Sequence, residues 1–547
     1  MDRNVLHSSI LSGAFSIIFQ VLCRILTFGI NAFIVRNVGR DVLGIMNVRL
    51  LLLESTLLFL SREAFNRAGL SATTQQRNKC SWAQLINQMW LTAPTCIVIC
   101  IPCVYIWLHL LSPVDDQYKL QYQFGCYAMA LSCIVELCAE APSFVTQVFC
   151  FVRVRIVLNT LHILVRSAVF LWIVINDKSV AINAFAIAQL MSTATIIFGN
   201  YGFFYFYIRR LNQQKQQLDK KSTSNDMQDF PFTKISEFFP GVMKNEGKFF
   251  NSELQILTLS FVKQGVLKQI LTEGEKYVMS VSPVLNFSEQ ATYDVVNNLG
   301  SLAARFIFRP IEDSSYFFFT QTIARDVVLY KQSRESVVQA AKVLHNLSLA
   351  VTSIGLLALT FGQSYSHTLL LLYGGADFVA GGLPEKLLQW HCLAIYFLAI
   401  NGITEGYMFA TNTSRDIDKY NYLMAIFSVS FLILSYILTS FLGPVGFIFA
   451  NCINMFCRIC YSTHFIYRQY QATELMPLKG LLPGKWFIIT LLITGLFCKY
   501  VSYWPTSIPV HLLYGFLSVS CCLLVWTIEN RELVKLGWRY GQRIKSD

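Results

Sequence analysis

Three apolar segments of this 547-residue chain carry charged, amide and hydroxyl side chains at spacings of three or four residues. Residues at these spacings share one face of an α-helix, so each segment would have a polar stripe on an otherwise apolar helix. Because arginine and lysine bind phosphate groups well, the cations in the stripes predict an internal anion-binding site. The stripes are Ser9, Ser12, Ser16, Gln20, Arg24, Thr27 and Asn31; Ser260, Gln264, Lys268, Thr272 and Glu275; and Asp294, Asn298, Ser301 and Arg305.

Cations inside apolar segments need a polar surrounding. An ionised Arg or Lys at the centre of a bilayer costs ~2.5–3.5 kcal/mol on insertion scales, so it is expected to face a water-filled cavity or another helix. Arg49 and Lys263 add two such cations to the stripes. We therefore predict a central cavity for an anionic substrate, lined by Arg24, Arg49, Lys263, Lys268, Arg305, Gln20, Gln264 and Asn298.

A second interpretation of the intramembrane charges is that they form ion pairs between helices and only fix packing. We favour it for Arg166 and Arg458. The acids Glu54, Asp294 and Glu405 are candidates either for such pairing or for coupling to protons or sodium. The sequence leaves these two roles open.

The motifs of several enzyme classes are missing from the sequence. It contains no Gly-x-x-x-x-Gly-Lys-Ser/Thr, His-Glu-x-x-His or Gly-x-Ser-x-Gly segment, and its two Cys-x-x-Cys pairs lack partners for a zinc site. The net charge of +12 needs no nucleic-acid partner, because the excess Lys and Arg lies in short loops. We predict a transporter with no ATPase or hydrolase activity, no cofactor and no metal.

The composition is that of an integral membrane protein: 54% of residues are hydrophobic, 14% are charged, and the mean hydropathy is +0.47. Apolar segments long enough to cross a bilayer as helices recur along the chain. The prediction is an all-α polytopic protein with about fourteen transmembrane helices. Their ranges are 8–35, 42–61, 83–110, 120–149, 154–176, 180–208, 250–272, 289–308, 340–372, 387–411, 420–441, 445–467, 486–503 and 508–528.

The order of these spans predicts two related lobes. Residues 1–208 form the N-lobe, 209–248 a flexible cytoplasmic linker, 249–470 the C-lobe, and 471–547 two further helices and a tail. Lys and Arg concentrate in alternate loops, which places both termini in the cytoplasm. Each lobe has six spans, so the lobes are inserted in parallel around the cavity.

Two internal sequence repeats indicate that the two lobes arose by duplication. The segments 20–29 and 265–274 share six of ten residues, and Phe59-Leu-Ser-Arg62 is echoed by Phe306-Ile-Phe-Arg309. The offsets between the copies, 266 − 21 = 245 and 309 − 62 = 247, are almost equal. However, Arg24 aligns with Gln269 rather than with Lys268. The echoes therefore favour a duplicated scaffold with a diverged binding site.

Longer motifs resemble a known family. Arg36-Asn-Val-Gly39-Arg-Asp-Val-Leu-Gly44 resembles a turn of the multidrug/oligosaccharidyl-lipid/polysaccharide (MOP) exporter superfamily. Four further segments are more specific: Ser260-Phe-Val-Lys-Gln-Gly-Val-Leu-Lys-Gln-Ile-Leu-Thr-Glu-Gly-Glu-Lys-Tyr277, Tyr293-Asp-Val-Val-Asn-Asn-Leu-Gly300, Arg309-Pro-Ile-Glu-Asp313 and Glu405-Gly-Tyr-Met-Phe-Ala410. These segments resemble the eukaryotic Rft family of that superfamily, which serves N-linked glycosylation in the endoplasmic reticulum.

The resemblance implies the MOP flippase fold, and it implies movement of Man5GlcNAc2-diphosphate-dolichol from the cytoplasmic to the lumenal leaflet of the endoplasmic reticulum membrane. The implied partners are this glycolipid, the membrane lipids and, as a further option, other N-glycosylation proteins. The alternative is an accessory that binds the lipid intermediate without moving it. A cation-coupled drug exporter ranks below both, because its cavity would be acidic. Asn286 lies in a glycosylation sequon in a predicted lumenal loop.

Overall fold

The computed structural model describes residues 25–75, 81–149, 151–218, 230–243, 248–281, 285–325, 327–504 and 507–535. These residues fold into helices joined by short turns and contain no β-strand, so the predicted all-α class is confirmed. Gln20 and Arg24 lie outside the described residues, and so does most of the first polar stripe. The chain forms two compact units, Met1–Pro283 and Val284–Asp547.

The first unit is built around one long, mostly buried helix. This helix, α2, comprises Arg40–Gly44, a π-helical turn at Ile45–Leu50, and Leu51–Gln75, and it packs against α4, α5 and α9. Helix α8 packs against α5 and α7. The other helices of the unit are α1 Ile25–Asn37, α3 Trp82–Trp90, α4 Thr92–His109, α5 Asp116–Leu137, α6 Glu140–Val148, α7 Val152–Asn176, α8 Ala181–Leu218 and α9 Ser252–Val281.

The second unit is organised around α12, which packs against α10, α11 and α14. Helix α10 again contains a π-helical turn, since Phe287–Ala303 continues through Ala304–Phe308 into Arg309–Thr322. Helices α15 and α16 pair with each other and lie against α11. The remaining bounds are α11 Arg334–Gly374, α12 Leu383–Thr411, α13 Ser414–Leu442, α14 Val445–Tyr470, α15 Lys485–Ser502 and α16 Ile508–Glu529.

Among the described residues, ten helices or helix pairs are long and apolar enough to cross a membrane, or eleven if the bent pair α5–α6 is one span. Helices α9 and α10 are not among them. Their polar stripes lower their hydropathy, although both coincide with predicted spans. The multi-pass character is thus borne out, whereas the count of about fourteen crossings stays a prediction.

Side-chain caps fix where several helices begin. Ser81 and Gln84 form a reciprocal capping box at the start of α3, and Asn286 and Glu289 form another at the start of α10. Asn286 Oδ1 accepts from the Glu289 backbone N–H at 2.8 Å. The asparagine of the predicted sequon therefore has a structural role as the N-cap of α10.

The segment predicted as a flexible linker is partly packed. Helix α8 runs to Leu218, and residues 230–243 lie against the first unit with Phe232 and Phe238 buried. Trp90 Nε1 donates to the Phe238 carbonyl oxygen at 2.7 Å, and the Gly241 N–H donates to Asn87 Oδ1 at 2.9 Å. The polar composition of 209–248 predicted a flexible linker because it gives little weight to the few aromatic residues that anchor the segment.

The boundary between the two units also differs from the predicted lobes. Helix α9, expected to open the C-lobe, packs against α2 inside the first unit. Polar contacts join the two helices: the Ser55 hydroxyl donates to Glu273 Oε1 at 3.2 Å, and the Thr56 and Tyr277 hydroxyls are 2.7 Å apart. The predicted C-lobe therefore begins at residue 249, whereas the second compact unit begins at Val284.

The Trp90 hydrogen bond should contribute measurably to stability. Trp90→Phe keeps the aromatic packing but leaves the Phe238 carbonyl without its donor, so we expect a loss of ~1–3 kcal/mol in the free energy of unfolding in detergent. Trypsin should then cleave faster after Lys234. Trp172→Phe is the matched control, because Trp172 is 70% exposed. Equal stability of the two variants would contradict the anchoring role of Trp90.

Candidate functional site

The polar stripe of α9 lies on an accessible surface of the first unit. Lys263, Gln264 and Lys268 are all exposed. Lys268 Nζ lies 3.3 Å from Glu63 Oε1 of α2 and 5.5 Å from the centre of the Phe59 ring. The structure thus brings the predicted α9 residues together and adds an acidic counter-ion that the sequence analysis did not identify.

Glu63 forms ion pairs with two cations, Lys268 and Arg67. Its Oε1 also accepts from Arg67 Nε at 2.7 Å, one helical turn along α2. All three side chains are partly exposed, so this is a hydrated ion-pair network rather than a buried one. Such pairs are weak, and an incoming anion can compete with the carboxylate for the lysine.

Arg49 does not line a cavity in this structure, which corrects its predicted role. Its side chain is fully buried, and Nη2 donates to the Ser112 hydroxyl through a short contact. Trp107 Nε1 donates to the Arg49 carbonyl oxygen at 3.0 Å, and the Tyr122 hydroxyl donates to the Trp107 carbonyl oxygen at 3.0 Å. The guanidinium therefore ties α2 to the loop after α4 and is inaccessible to a ligand.

Glu54 is engaged in packing. Gln189 Nε2 donates to Glu54 Oε1 at 2.8 Å, and Arg166 Nη1 lies 3.6 Å from Glu54 Oε2. Arg166 Nη1 also donates to Gln189 Oε1 at 3.0 Å. This triad joins α2, α7 and α8, as the ion-pair interpretation of Arg166 predicted. Glu54 is thus paired in this structure, which is one of the two roles that the sequence left open.

Arg62 is a site that sequence reasoning missed, because the second span was predicted to end one residue before it. In the structure α2 continues to Gln75, and Arg62 sits between two buried glutamates. Its Nη2 lies 2.5 Å from Glu136 Oε1, and its Nε lies 2.8 Å from Glu140 Oε2. The echo of Phe59–Arg62 in Phe306–Arg309 was the available signal that this arginine belongs to a span.

In the second unit, the stripe of α10 contains a local hydrogen bond. Asn298 Nδ2 donates to Asp294 Oδ2 at 3.2 Å, with Asp294 buried and Asn298 exposed.

Arg305 lies within the π-helical turn Ala304–Phe308. Arg49 lies within the other π-helical turn, in α2. Each unit thus places an arginine where the helix widens locally, a feature that often marks functional positions.

Glu405 forms a dense polar cluster with residues of three helices. Arg458 Nη2 makes a short ion pair with Glu405 Oε2, and Arg458 Nε donates to Oε1 at 3.3 Å. The Tyr420 hydroxyl donates to Oε1 at 2.7 Å, and Asn401 Nδ2 donates to Oε2 at 2.8 Å. The carboxylate is thus satisfied by Arg458, as the ion-pair interpretation predicted.

Three residues of this cluster, Glu405, Arg458 and Asn401, line an open cavity of about 450 Å³ inside the second unit. Glu312, Asp313 and Tyr316 of α10 also line this cavity. Met455 and Leu398 supply apolar surface. The cavity therefore combines acidic, amide, aromatic and aliphatic side chains, the mixture typical of ligand pockets.

Comparisons with solved structures agree with the fold class. The structure matches that of "Lipid II flippase MurJ, inward closed conformation" with a TM-score of 0.56 at 15% identity, covering 95% of this chain and 100% of that one. It matches an inward-facing MATE-family multidrug transporter of the MOP superfamily with a TM-score of 0.52 at 10% identity, covering 82% and 95%. These likenesses show that the chain shares the fold of these two transporters.

Sequence relatives are much closer. The chain is 68% identical over 556 residues to the Drosophila melanogaster protein named "Man(5)GlcNAc(2)-PP-dolichol translocation protein RFT1", with full coverage of both chains. It is 38% identical to the Mus musculus protein of the same name, covering 88% of this chain and 86% of that one. The family model described as "Rft protein" matches residues 8–540. The chain therefore belongs to the Rft family.

Proposed function

We propose that this protein moves Man5GlcNAc2-diphosphate-dolichol from the cytoplasmic to the lumenal leaflet of the endoplasmic reticulum membrane. The observation that carries the proposal is the 68% identity, over the full length, to a protein named for this translocation. A fold shared with a lipid II flippase fits a lipid-linked substrate. The absence of a Gly-x-x-x-x-Gly-Lys-Ser/Thr segment supports a transporter without ATP hydrolysis of its own.

The proposed architecture has fourteen crossings in two parallel six-helix lobes, followed by α15 and α16. Helices α9 and α10 would complete the lobes as cavity-lining spans. The exposed Lys263 and Lys268 support this role for α9, because a charged face is tolerated in a membrane where it meets water. Both termini would face the cytoplasm, where the excess of Lys and Arg in the neighbouring loops places them.

In this proposal cations hold the diphosphate while the dolichol tail remains in lipid. Lys263 and Lys268 supply charge from α9, with Gln264 donating hydrogen bonds, and Arg24, Gln20, Arg305 and Asn298 complete the predicted set. Glu63 acts as the resident counter-ion of Lys268 and yields to the diphosphate. Arg49 is left out because its guanidinium is buried.

A reconstitution experiment tests the proposal. Purified full-length protein in liposomes should accelerate the crossing of authentic Man5GlcNAc2-diphosphate-dolichol relative to protein-free liposomes and to liposomes with an unrelated membrane protein. The readout is the fraction of glycolipid accessible to a soluble mannose-binding lectin or mannosidase over time. Binding of the glycolipid without faster crossing would reject translocation and favour the accessory role.

A further inference from the structure

The cavity of the second unit has more carboxylates than cations. Glu405 is neutralised by Arg458, whereas no described cation lies within 4 Å of Glu312 or Asp313, and Arg309 acts on Glu312 only from a longer distance. An anionic diphosphate would be repelled by two such carboxylates. The cavity is therefore suited to a neutral ligand that donates hydrogen bonds.

The acceptors in the cavity are held in place. A Cβ at Gly402 would come within 1.6 Å of Glu312 Oε1, so the Glu312 carboxylate lies directly against the α12 backbone in space that only glycine leaves open. Asn401 is 5% exposed, and its Nδ2 is fixed by Glu405. Among the described residues its Oδ1 accepts no hydrogen bond. A buried acceptor without a donor is unfavourable, so a donor group from a ligand or water would stabilise it.

The surrounding surface favours a sugar. Phe409 and the 40% exposed Tyr316 place aromatic rings at the cavity, next to acceptors that suit hydroxyl donors. A metal ion fits less well, because no group of three or more His, Cys, Asp or Glu side chains in the described ranges is arranged to hold one. The volume of about 450 Å³ accommodates part of an oligosaccharide.

We infer that this cavity binds the glycan of the lipid-linked substrate, with Glu312, Asp313 and Asn401 accepting hydrogen bonds from sugar hydroxyls. The inference rests on the proposed function for the identity of the glycan. It assigns the two ends of the substrate to different chemistry: the α9 lysines take the diphosphate, and the acidic cavity takes mannose residues. Recognition of the glycan would then be independent of anion capture.

The test is direct binding of the free glycan to the full-length protein in detergent. Soluble Man5GlcNAc2 oligosaccharide is the probe, and saturation-transfer NMR is the readout. The double variant Glu312→Gln/Asp313→Asn removes both charges without changing volume. It should weaken binding at least about tenfold, since hydrogen bonds to charged groups are among the stronger ones. Glu335→Gln, an exposed acid of α11 outside the cavity, should bind like the wild type.

The possible outcomes separate the two proposals. No binding of the glycan by the wild type, or equal binding by the double variant, overturns the sugar site. Stabilisation of the wild type by Na⁺ that the double variant lacks, without glycan binding, also overturns it and identifies a cation site. Glycan binding lost in the double variant supports the site even if liposomes show no glycolipid movement, in which case only translocation fails. Thermal unfolding of both variants confirms that each is folded.

Discussion

Lys268→Glu should reduce glycolipid movement in liposomes by about 100-fold. The substitution removes a charge-assisted contact to the diphosphate and replaces it with repulsion, and it also places two carboxylates together where Lys268 Nζ now lies 3.3 Å from Glu63. Loss of about 3 kcal/mol of binding corresponds to that factor. The measurement is the initial crossing rate at equal amounts of folded protein.

A neutral double variant separates substrate binding from packing. Glu63→Gln/Lys268→Gln keeps two side chains able to hydrogen-bond across α2 and α9 but removes both charges. If the pair only fixes packing, this variant should transport like the wild type; if Lys268 binds the diphosphate, transport should stay low. Glu63→Gln alone should strengthen binding of inorganic diphosphate, because Lys268 loses a competing anion. Lys119→Glu reverses the charge of an exposed lysine on α5 and serves as the control.

The sequence was sufficient to predict the class of protein and the accessible face of α9. Helical periodicity places Gln264 and Lys268 on one side, and their cost in lipid requires a polar surrounding. Both side chains are exposed in the structure. The same reasoning predicted that Arg166 and Arg458 would pair with acids, because each is an isolated cation without a polar stripe.

The sequence could not predict which cations would be buried. Arg49 and Lys268 look alike along the chain, yet the guanidinium of Arg49 is enclosed by residues from about sixty positions away. Arg62 was assigned to a loop because its partners, Glu136 and Glu140, are more than seventy residues distant. Burial depends on such long-range packing, which periodicity does not encode. The π-helical turns around Arg49 and Arg305 likewise have no signature in the hydrophobic pattern.

Arg458→Met should destabilise the protein by ~3–5 kcal/mol, because it leaves Glu405 buried with an uncompensated charge. Glu405 is 6% exposed, and its remaining donors, Tyr420 and Asn401, are neutral. The measurement is the free energy of unfolding in detergent micelles. The loss should be larger than for Trp90→Phe, because a buried charge is more costly to leave unpaired than a carbonyl group.

A double-mutant cycle isolates the contribution of the pair. Glu405→Gln/Arg458→Met removes both charges and leaves an amide that still accepts from Tyr420, so it should recover most of the stability lost in Arg458→Met. If the losses in the free energy of unfolding for Glu405→Gln and Arg458→Met simply add in the double variant, the two charges do not stabilise each other. The double variant should also bind Man5GlcNAc2 nearly as the wild type does, because Glu312 and Asp313 are unchanged. Loss of glycan binding in a folded double variant would instead mean that Glu405 or Arg458 itself contacts the sugar.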